Sequence, residues 1–554
     1  MGLGILADRH LGEDVPGTSL LDDLHSKKPN GSAAYDTNLK RSKSGIVLVP
    51  QPSSSPNDPL NWPFWKKCML MLTITYGAGV VGAFGPVIGA GLTQVAMNLD
   101  TTVNDLSMIT GDLVLAIGLV LLLTAPASVV WGRRPIFLIG NVLLLVSAIW
   151  SAVAKDLGSL TASRVIGGIG MAPIECLVEA TIADIFFVHE RGTWIAVWSF
   201  ALLGGICGVS IVNGYLIQDV SWRICFVVEA VLCAILLVLT ILFVPETAYR
   251  RSTSVSDKTM AINSTSALET ATKSSSAPTG SSDVDLEKTS ATFAAGYTLE
   301  VEVHESYMRS LLPWAGYKFT DESFWRICLR PFTLLCSPVV AWGTLIYGTT
   351  AGWLVALSVS VSLLFSSPAY GYDFQAGPVG LISGVGPFIA AILGNAIAGP
   401  LSDWSVTWLA RRNNGIYEPE FRLFMIIPLL VATTIGWFGW AISANLLELW
   451  IGPAVFYSLL NFGQAVGSVA VVSYVVDAHP NYAPEAFATV NCLKNLFTFG
   501  LTYYVVPWLA AQGVLRTFCT IGGINIWVCL MTIPMYVYGK RARSWVHRTP
   551  WMLA

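Results

Sequence analysis

The chain has 554 residues, of which 54% are hydrophobic and only 12% are charged, and its mean hydropathy is +0.60. Soluble globular proteins carry about a quarter charged residues, so this composition excludes an ordinary soluble enzyme and indicates a chain embedded in lipid. The formal net charge of -3, without a block of basic residues, excludes the clustered Lys and Arg with which a protein binds nucleic acid.

Charged residues are concentrated in two stretches, 1–67 and 246–330. The chain has 67 charged residues, made up of 32 Lys and Arg and 35 Asp and Glu, and 35 of the 67 lie in these stretches. The first stretch is predicted to be an N-terminal tail in the cytoplasm. The second contains the Ser/Thr-rich run TATKSSSAPTGSSDVD, which cannot bury a core. We therefore expect a largely disordered central loop there.

Twelve apolar segments are each long enough to cross a hydrocarbon core about 30 Å thick, which takes about 20 helical residues. Six precede the central loop and six follow it. This arrangement predicts an all-α membrane protein with six-helix bundles at 68–245 and 331–539 and a basic cytoplasmic tail at 540–554. The predicted spans, numbered 1 to 12 throughout, are 70–93, 106–128, 135–154, 159–183, 194–217, 224–244, 334–364, 378–399, 423–443, 449–474, 486–508 and 516–538.

The basic residues predict the orientation of these spans. With the N-terminus in the cytoplasm, 27 of the 32 Lys and Arg lie on the inner side, 3 on the outer side and 2 within spans. The positive-inside rule therefore places both termini and the central loop in the cytoplasm.

No metal or other cofactor is predicted. The 10 Cys are scattered singly, and the 6 His lie in tails, loops or the ends of spans, so the sequence has neither CxxC pairs nor the His clusters of a membrane metalloenzyme. The sequence also contains no GxxxxGK[ST] phosphate loop, which argues against an ATP-driven pump of the P-loop kind.

The first loop on the cytoplasmic side reads similarly in the two bundles. APASVVWGRRP follows span 2, and GPLSDWSVTWLARR follows span 8. Both resemble the motif G-x-x-x-D-x-x-G-R-[RK] of the major facilitator superfamily. The first copy keeps Gly132, Arg133 and Arg134, and the second keeps Gly399 and Asp403.

Longer stretches resemble the fungal drug:proton antiporter branch of that superfamily, which has twelve helices, and especially its polyamine and multidrug carriers. They are DPLNWPFWKK, SRVIGGIG, APIECLVEATIADIFFVHERG, VPET, ARRNNGIYEPEFRL and SYVVDAHPNYAPEAFATVNCLKN. The resemblance implies the major facilitator fold, a small-molecule substrate and coupling to protons. The antiporter signature of span 5, usually G-x-x-x-G-P-x-x-G-G, reads GGICGVSIVNG with Val209 in place of Pro, so the direction of transport stays open.

Span 4 carries the densest set of ionisable residues in the membrane, where isolated charges are costly. Arg164 and Glu175 are eleven residues apart and share a helix face, and Glu179 follows one turn later. By resemblance, Arg164 occupies a position associated with proton coupling. We predict that Glu175 and Glu179 bind a proton or a cation; the alternative is a role in interhelical hydrogen bonds or ion pairs, which would hold Glu179 and Asp184 near the cytoplasmic end.

Span 11 presents Asn491, Lys494 and Asn495 on one polar face. Asp112 of span 2 differs from Lys494 in depth by about two helical turns, which a long Lys side chain and helix tilt partly close. Because spans 2 and 11 face each other in this superfamily, we consider a state-dependent bridge between Asp112 and Lys494. The alternative is that each is satisfied inside its own bundle.

Several other side chains could line the cavity or pack between helices, and the sequence leaves both readings open. The amides of this group are Asn213, Asn395, Asn461 and Gln464. The aromatic residues are Trp342, Tyr347, Trp353 and Tyr457. In the glycine-rich span 1, Pro86 predicts a break in the helix or, alternatively, simple close packing.

The loop motifs predict a cytoplasmic gate made of Gly132, Arg133, Arg134 and Asp403. The two Arg residues are expected to pair with acidic residues and helix ends when the inner side closes. The alternative for them is that they only anchor the topology.

Together these features predict a secondary transporter that uses the proton gradient to export a small organic compound. Proton-linked uptake of a nutrient or of an organic cation such as a polyamine is an alternative, and a non-transporting sensor on a carrier fold is an alternative of another class. The expected partners are the substrate, protons and the lipid bilayer. We expect a monomer in the plasma membrane and no enzymatic activity.

Overall fold

The computed structural model describes residues 3–6, 8, 15, 17–20, 53, 55–249, 312–314, 316–320, 322–366, 372–413, 416–446, 449–479 and 482–549. Most of the predicted central loop lies outside the described residues.

Long α-helices account for all of the predicted spans. The first bundle consists of span 1 (Phe64–Phe84, followed by Leu92–Asn98), span 2 (Val103–Trp131), span 3 (Arg133–Val153), span 4 (Leu157–Ile185), span 5 (Val188–Asp219) and span 6 (Trp222–Phe243). The second consists of span 7 (Pro338–Ser366), span 8 (Ala376–Arg412), span 9 (Ile426–Asn445), span 10 (Ile451–Ala478) and the helix Ala483–Leu530, which holds spans 11 and 12.

Spans 11 and 12 are separated at Gly513. Within the described residues, 11 helices are long and apolar enough to cross a membrane, and the last of them runs through this glycine. Gly513 has a φ of +75°, which breaks the helix into span 11 (483–512) and span 12 (514–530). A positive φ is readily adopted only by a residue without Cβ, so this glycine allows the chain to turn back into the bundle.

In the part of the chain that the structure describes, two further α-helices and one small sheet lie next to the spans. Helix Phe324–Leu334 precedes span 7, and the C-terminal helix Thr532–His547 follows span 12. Strand β1 (Ser19–Leu20) pairs antiparallel with strand β2 (Ile416–Tyr417), which lies between spans 8 and 9.

Both ends of the chain lie at the same side of the helix bundles, which we call the tail side; the opposite side is the far side. The backbone N–H of Leu6 donates to the carbonyl of Val537 over 3.0 Å, which joins the N-terminal segment to the C-terminal helix. On the far side, Thr102 and Asp156 cap the starts of spans 2 and 4 with their side-chain oxygens, which satisfies backbone N–H groups that have no helical partner.

The two bundles are in contact along two flanks. Span 5 packs against span 8, and span 2 packs against span 11. At the first flank Gly214 and Gly380 bring the backbones together, because a Cβ on either glycine would lie 3.1 Å from the Cα of the other. Larger residues there would push the helices apart.

One hydrophobic core joins the bundles on the far side. It contains Val87 and Trp222 of the first bundle together with Trp353 and Phe365 of the second. On the tail side, by contrast, each bundle has a core of its own. This is the arrangement expected of a carrier that is closed on the far side.

The structure adds three details to the predicted division of the chain. The described part of the N-terminal tail is not free, because Ile5 packs into a cluster with Leu409 and Phe421 of the second bundle. The helix Phe324–Leu334 crosses the predicted boundary at 331. The predicted basic tail continues as a helix to His547, because Arg543 is fully buried in ion pairs.

Candidate functional site

The candidate site is an ion pair that joins the two bundles between spans 4 and 11. Lys494 Nζ lies 2.5 Å from Glu175 Oε1, and the two side chains are 13% and 18% exposed. The ammonium group also lies 5.4 Å from the centre of the Tyr347 ring of span 7, within the range of a cation–π contact. Two residues that the sequence singled out separately are thus direct partners.

Glu179 lies one turn from Glu175, on the tail side of the pair. Its side chain is partly buried, and in the described part of the chain it forms no ion pair. The site therefore brings together two carboxyl groups and one ammonium group. When both acids are ionised, the site has a negative charge that no described cation balances.

Asp112 does not form the predicted bridge to Lys494 in this conformation. The Tyr503 hydroxyl of span 11 donates to Asp112 Oδ1 over 3.4 Å, whereas Lys494 binds Glu175. Asp112 shares a helix face with Leu119 and Leu123, which are 50% and 48% exposed. The difference in depth between Asp112 and Lys494 explains this result. The alternative reading, that each is satisfied inside its own bundle, is also not seen, because both partners lie in the opposite bundle.

The predicted cavity amides are mostly held by backbone groups. Asn213 donates to the carbonyl of Val87 over 2.8 Å at the break of span 1, and Asn461 donates to that of Tyr457, one turn earlier in its own helix. Asn491 and Asn495 are 2% and 4% exposed, respectively, and so are buried beside Lys494 on span 11.

Two of the predicted amides have a polar atom that is not hydrogen-bonded within the described residues. Gln464 Oε1 is buried without a hydrogen-bond partner in the described part of the chain, and the same holds for Asn495 Nδ2. Asn395 donates to Ala391 and accepts from Ser199 of the other bundle over 3.5 Å. Among the predicted aromatic residues, Tyr347 is beside the ion pair, while Trp342, Trp353 and Tyr457 contact other aromatic rings.

Arg164 is not part of the ion pair at Glu175. It lies in the interior of the first bundle. Its guanidinium group is fully buried and donates to the carbonyls of Phe84 and Gly85, where the first helix of span 1 ends. The break predicted at Pro86 is therefore present, and Arg164 binds to it. A neighbouring acid, Glu229 of span 6, is 2% exposed.

The predicted gate residues of the first bundle form a local network on the tail side. Arg133 Nη1 lies 2.7 Å from Asp184 Oδ2 at the end of span 4. Arg134 donates to the carbonyls of Ile241 and Val244 at the end of span 6. Asp184, Ile241 and Val244 belong to the first bundle, and Arg134 also donates to the carbonyl of Leu312, in the segment between the two bundles, over 3.0 Å.

Glu246 holds this network together. Its carboxylate accepts hydrogen bonds from the backbone N–H groups of Arg133 and Arg134 over 2.9 Å and 3.1 Å, at the start of span 3. A negative charge is favourable at this end of a helix. Gly132 makes room for it, because a Cβ on Gly132 would lie 2.3 Å from Glu246 Oε2.

The second bundle has a corresponding network, in which the predicted Asp403 is peripheral. Its side chain is 83% exposed and lies 4.0 Å from Arg422. Arg422 instead binds Asp477 at the end of span 10 over 2.9 Å, and the Tyr417 hydroxyl donates to the same carboxylate. Burial, and secondarily the charge of Asp477, raises the pKa of Tyr417.

Acidic residues that the sequence did not single out complete this network. Glu418 and Glu420 pair with Arg543 of the C-terminal helix over 3.0 Å and 2.8 Å, and Glu418 also pairs with Lys540. The N-terminal segment joins the network where Thr18 donates to Glu418. The signal in the sequence was the stretch YEPEFRL, whose alternating charges lie just outside span 9.

Glu229 is another residue that the sequence analysis did not single out. Its only signal was one acidic residue within the apolar run FVVEAVLCAILL of span 6. A buried carboxyl group in a membrane span is a functional hypothesis by default, so this signal could have been used.

The sequence matches the Major Facilitator Superfamily model over residues 68–502. The chain belongs to this superfamily and is therefore a multi-pass membrane transporter of small molecules. The fold class predicted from the twelve spans and the loop motifs is confirmed.

Similar proteins come from fungi, and several are named as transporters or efflux pumps, which confirms that the chain belongs to a fungal branch of the superfamily. It is 26% identical to the uncharacterized MFS-type transporter C1271.10c of Schizosaccharomyces pombe, over 96% of this chain and 93% of the relative. It is 27% identical to Protein HOL1 of Saccharomyces cerevisiae, over 96% of both chains. The efflux pump radE of Floropilus chiversii is 24% identical, over 93% of this chain and 87% of the pump.

Solved structures support the fold at lower identity. The xylose transporter XylE from E. coli, in a partially occluded inward-open conformation, aligns with a TM-score of 0.55 and 15% identity over 85% of this chain and 98% of its own. The human organic anion transporter MFSD10 aligns with a TM-score of 0.52 and 15% identity over 85% of this chain and 100% of its own.

Proposed function

We propose that this transporter exports a small organic compound in exchange for protons, and that the ion pair between Glu175 and Lys494 couples the two movements. The observation that carries the proposal is the position of this pair. It joins the bundles at the depth where a carrier binds its substrate, and one partner can be neutralised by a proton.

The coupling works through the charge of Glu175. While the carboxylate is ionised, it holds Lys494 and so holds span 4 to span 11. A proton on Glu175 removes the attraction and lets the bundles move relative to each other. A compound that enters between the bundles competes for the same groups, so compound and proton occupy the site in turn.

The proposed direction of transport is supported by the predicted orientation and by one relative. The distribution of Lys and Arg favours a cytoplasmic tail side, so the conformation described here would be open to the cell interior, where a compound to be exported binds. The relative named as an efflux pump supports export. Protons then enter from outside as the compound leaves, and the plasma membrane is the expected location.

The test uses inverted membrane vesicles with an acidic lumen, to which polyamines, cationic drugs and hydrophobic fungal metabolites are added one at a time. We expect one class of compound to release protons from the lumen. In Glu175→Gln the proton release should fall at least about tenfold, because the amide cannot take up a proton. Asp105→Asn is the matched control, since Asp105 lies in the first turn of span 2 at the far end, away from the site.

Two outcomes would contradict the proposal. One is a labelled compound that crosses the membrane with no proton movement in the unaltered protein. The other is Glu175→Gln at the unaltered rate. Compound and protons leaving the lumen together would instead indicate proton-linked uptake.

A further inference from the structure

We propose that Glu229 is a second proton-binding residue of this transporter, and that its proton controls how Arg164 holds the break in span 1. The inference rests on the proposed function, because it adds a proton site to a carrier that we propose to be coupled to protons. It concerns residues other than Glu175 and Lys494, so the two can be tested separately.

The first observation is the burial of Glu229. The residue is 2% exposed in the middle of span 6, and within the described residues its Oε2 atom has no hydrogen-bond partner. Burying an ionised carboxylate without a donor costs several kcal/mol, whereas the neutral acid avoids most of this cost. The conformation described here therefore suits a protonated Glu229.

The second observation is how Arg164 is held. This guanidinium group is fully buried, yet its described hydrogen bonds go to the neutral carbonyls of Phe84 and Gly85. Its Nε atom has no partner among the described residues. A buried cation bound in this way has a strong affinity for any carboxylate within reach.

The third observation is that the two groups are neighbours. Phe226, whose ring lies 5.8 Å from the Arg164 guanidinium group, is three residues before Glu229 on span 6, so it shares a helix face with Glu229. The rings of Phe84 and Phe226 flank the guanidinium group at 4.8 Å and 5.8 Å, which keeps water away from it. Low polarity of the surroundings strengthens the attraction between opposite charges.

The other titratable groups around Glu229 are weaker acids. Tyr76 of span 1 donates its hydroxyl proton to the carbonyl of Leu232, and Cys225 and Cys233 lie one turn away on span 6 itself. Arg164 is therefore the charged group that faces Glu229 from the spans packed around it, within the part of the chain that the structure describes.

The mechanism is a competition for Arg164. With a proton on Glu229, Arg164 binds the carbonyls at the end of Phe64–Phe84 and fixes the residues that follow, which include Val87 of the shared far-side core. When the far side opens and water reaches Glu229, its O–H bond breaks, the proton passes to that water, and the carboxylate attracts Arg164 away from these carbonyls. A proton taken from the far side thus favours closure of the far side.

The test measures how often the far side opens. Thr93 lies in helix Leu92–Asn98, and its hydroxyl hydrogen-bonds to that of Ser366 across the bundles at 2.6 Å. Thr93→Cys is introduced after replacement of the native cysteines, and its reaction with a membrane-impermeant maleimide added from the far side is followed over about pH 6 to about pH 8. The rate is divided by that of Met97→Cys, whose site is 69% exposed, to remove the pH dependence of the thiol itself.

We expect the normalised rate to rise severalfold with pH when Glu229 is present. In Glu229→Gln it should stay at the low value throughout, because the amide remains neutral and Arg164 stays on the carbonyls. Glu229→Asp should keep a pH dependence, and it also serves as the second variant if the amide variant does not fold. An unchanged profile in Glu229→Gln, or a flat profile in the parent protein or in Glu229→Asp, would overturn the proposal.

Glu175→Gln in the same background separates this inference from the proposed function. It should lose proton release driven by compound and keep the pH profile of Thr93→Cys. If no compound releases protons from the unaltered protein, the proposed export fails, while loss of the pH profile in Glu229→Gln would still identify Glu229 as a proton site.

Discussion

Gly132 illustrates how a single residue position can be fixed by the backbone and by a neighbour at once. Its φ of +95° is strained for a residue with a Cβ, and the Glu246 carboxylate occupies the space where that Cβ would be. Both constraints serve the same purpose, which is to place a carboxylate at the start of span 3.

We predict that Gly132→Ala destabilises the protein by about 1–3 kcal/mol from backbone strain and displaces Glu246 in addition. Gly316→Ala is the matched control, because Gly316 also has a positive φ (+83°) but has no atom within 4 Å of the position of a Cβ. Thermal unfolding in detergent should show a clearly larger loss for Gly132→Ala. Equal losses would mean that contact with Glu246 is unimportant.

The sequence predicted which residues belong to the site better than it predicted which of them bind each other. It singled out Glu175 and Lys494, because charges in the membrane are rare and conspicuous. It could not pair them, since the register between spans 4 and 11 depends on how the bundles dock and not on either helix alone. The same limit explains why Asp112 was considered as the partner of Lys494.

At the scale of the helices, several tertiary contacts join the ends of different spans. Ser337 immediately precedes span 7, and His479 immediately follows span 10; their side chains are hydrogen-bonded at 3.0 Å. Burial, with a smaller effect from the charge of Arg543, lowers the pKa of His479 from 6.5 to about 4. The imidazole is therefore neutral in the folded protein at neutral pH.

We predict a loss of stability on acidification that depends on His479. Between about pH 6.5 and about pH 4 the unfolded chain binds a proton at this residue and the folded protein does not, so stability falls as the pH falls through this window. His479→Gln should reduce the decrease in apparent melting temperature between neutral pH and about pH 5 by a few degrees.

His547→Gln is the control for this prediction, because His547 is exposed near the end of the C-terminal helix. It should leave the pH dependence unchanged. If His479→Gln also left it unchanged, the acid sensitivity of the protein would have another source.

Hydropathy predicted the existence of the spans but not all of their limits. Span 8 was expected to end at 399, yet the helix continues to Arg412. The extension contains Asp403 and is not apolar enough to be recognised by a membrane criterion. Conversely, span 1 was expected to run to 93, whereas its first helix ends at Phe84 and a second begins at Leu92.

At the scale of the whole molecule, the N-terminal segment binds to the bundle that is more distant in sequence. Val15 is 1% exposed, Ile5 is 8% exposed, and β1 pairs with β2 between spans 8 and 9. The sequence predicted only a cytoplasmic tail here. The residues that pack are single apolar residues separated by polar ones, and such a pattern does not show in the composition.

We predict that Val15→Asp lowers the apparent melting temperature by at least about 3 °C, because it places a charge in a buried position of a segment whose Thr18 already binds Glu418. Leu3→Asp is the control, since Leu3 is 38% exposed, and its effect should stay within about 1 °C. Similar melting temperatures for the two variants would show that the segment is not bound in solution.

The shared far-side core gives the two openings of this carrier different responses to temperature. Separating the bundles on the far side exposes apolar residues such as Trp353 and Phe365 to water, whereas the tail side already has two separate cores. Hydration of apolar surface increases the heat capacity, and the apolar association weakens on cooling. Cooling should therefore shift the population towards the state that is open on the far side. A plot of the logarithm of the equilibrium constant between the two open states against inverse temperature should be curved.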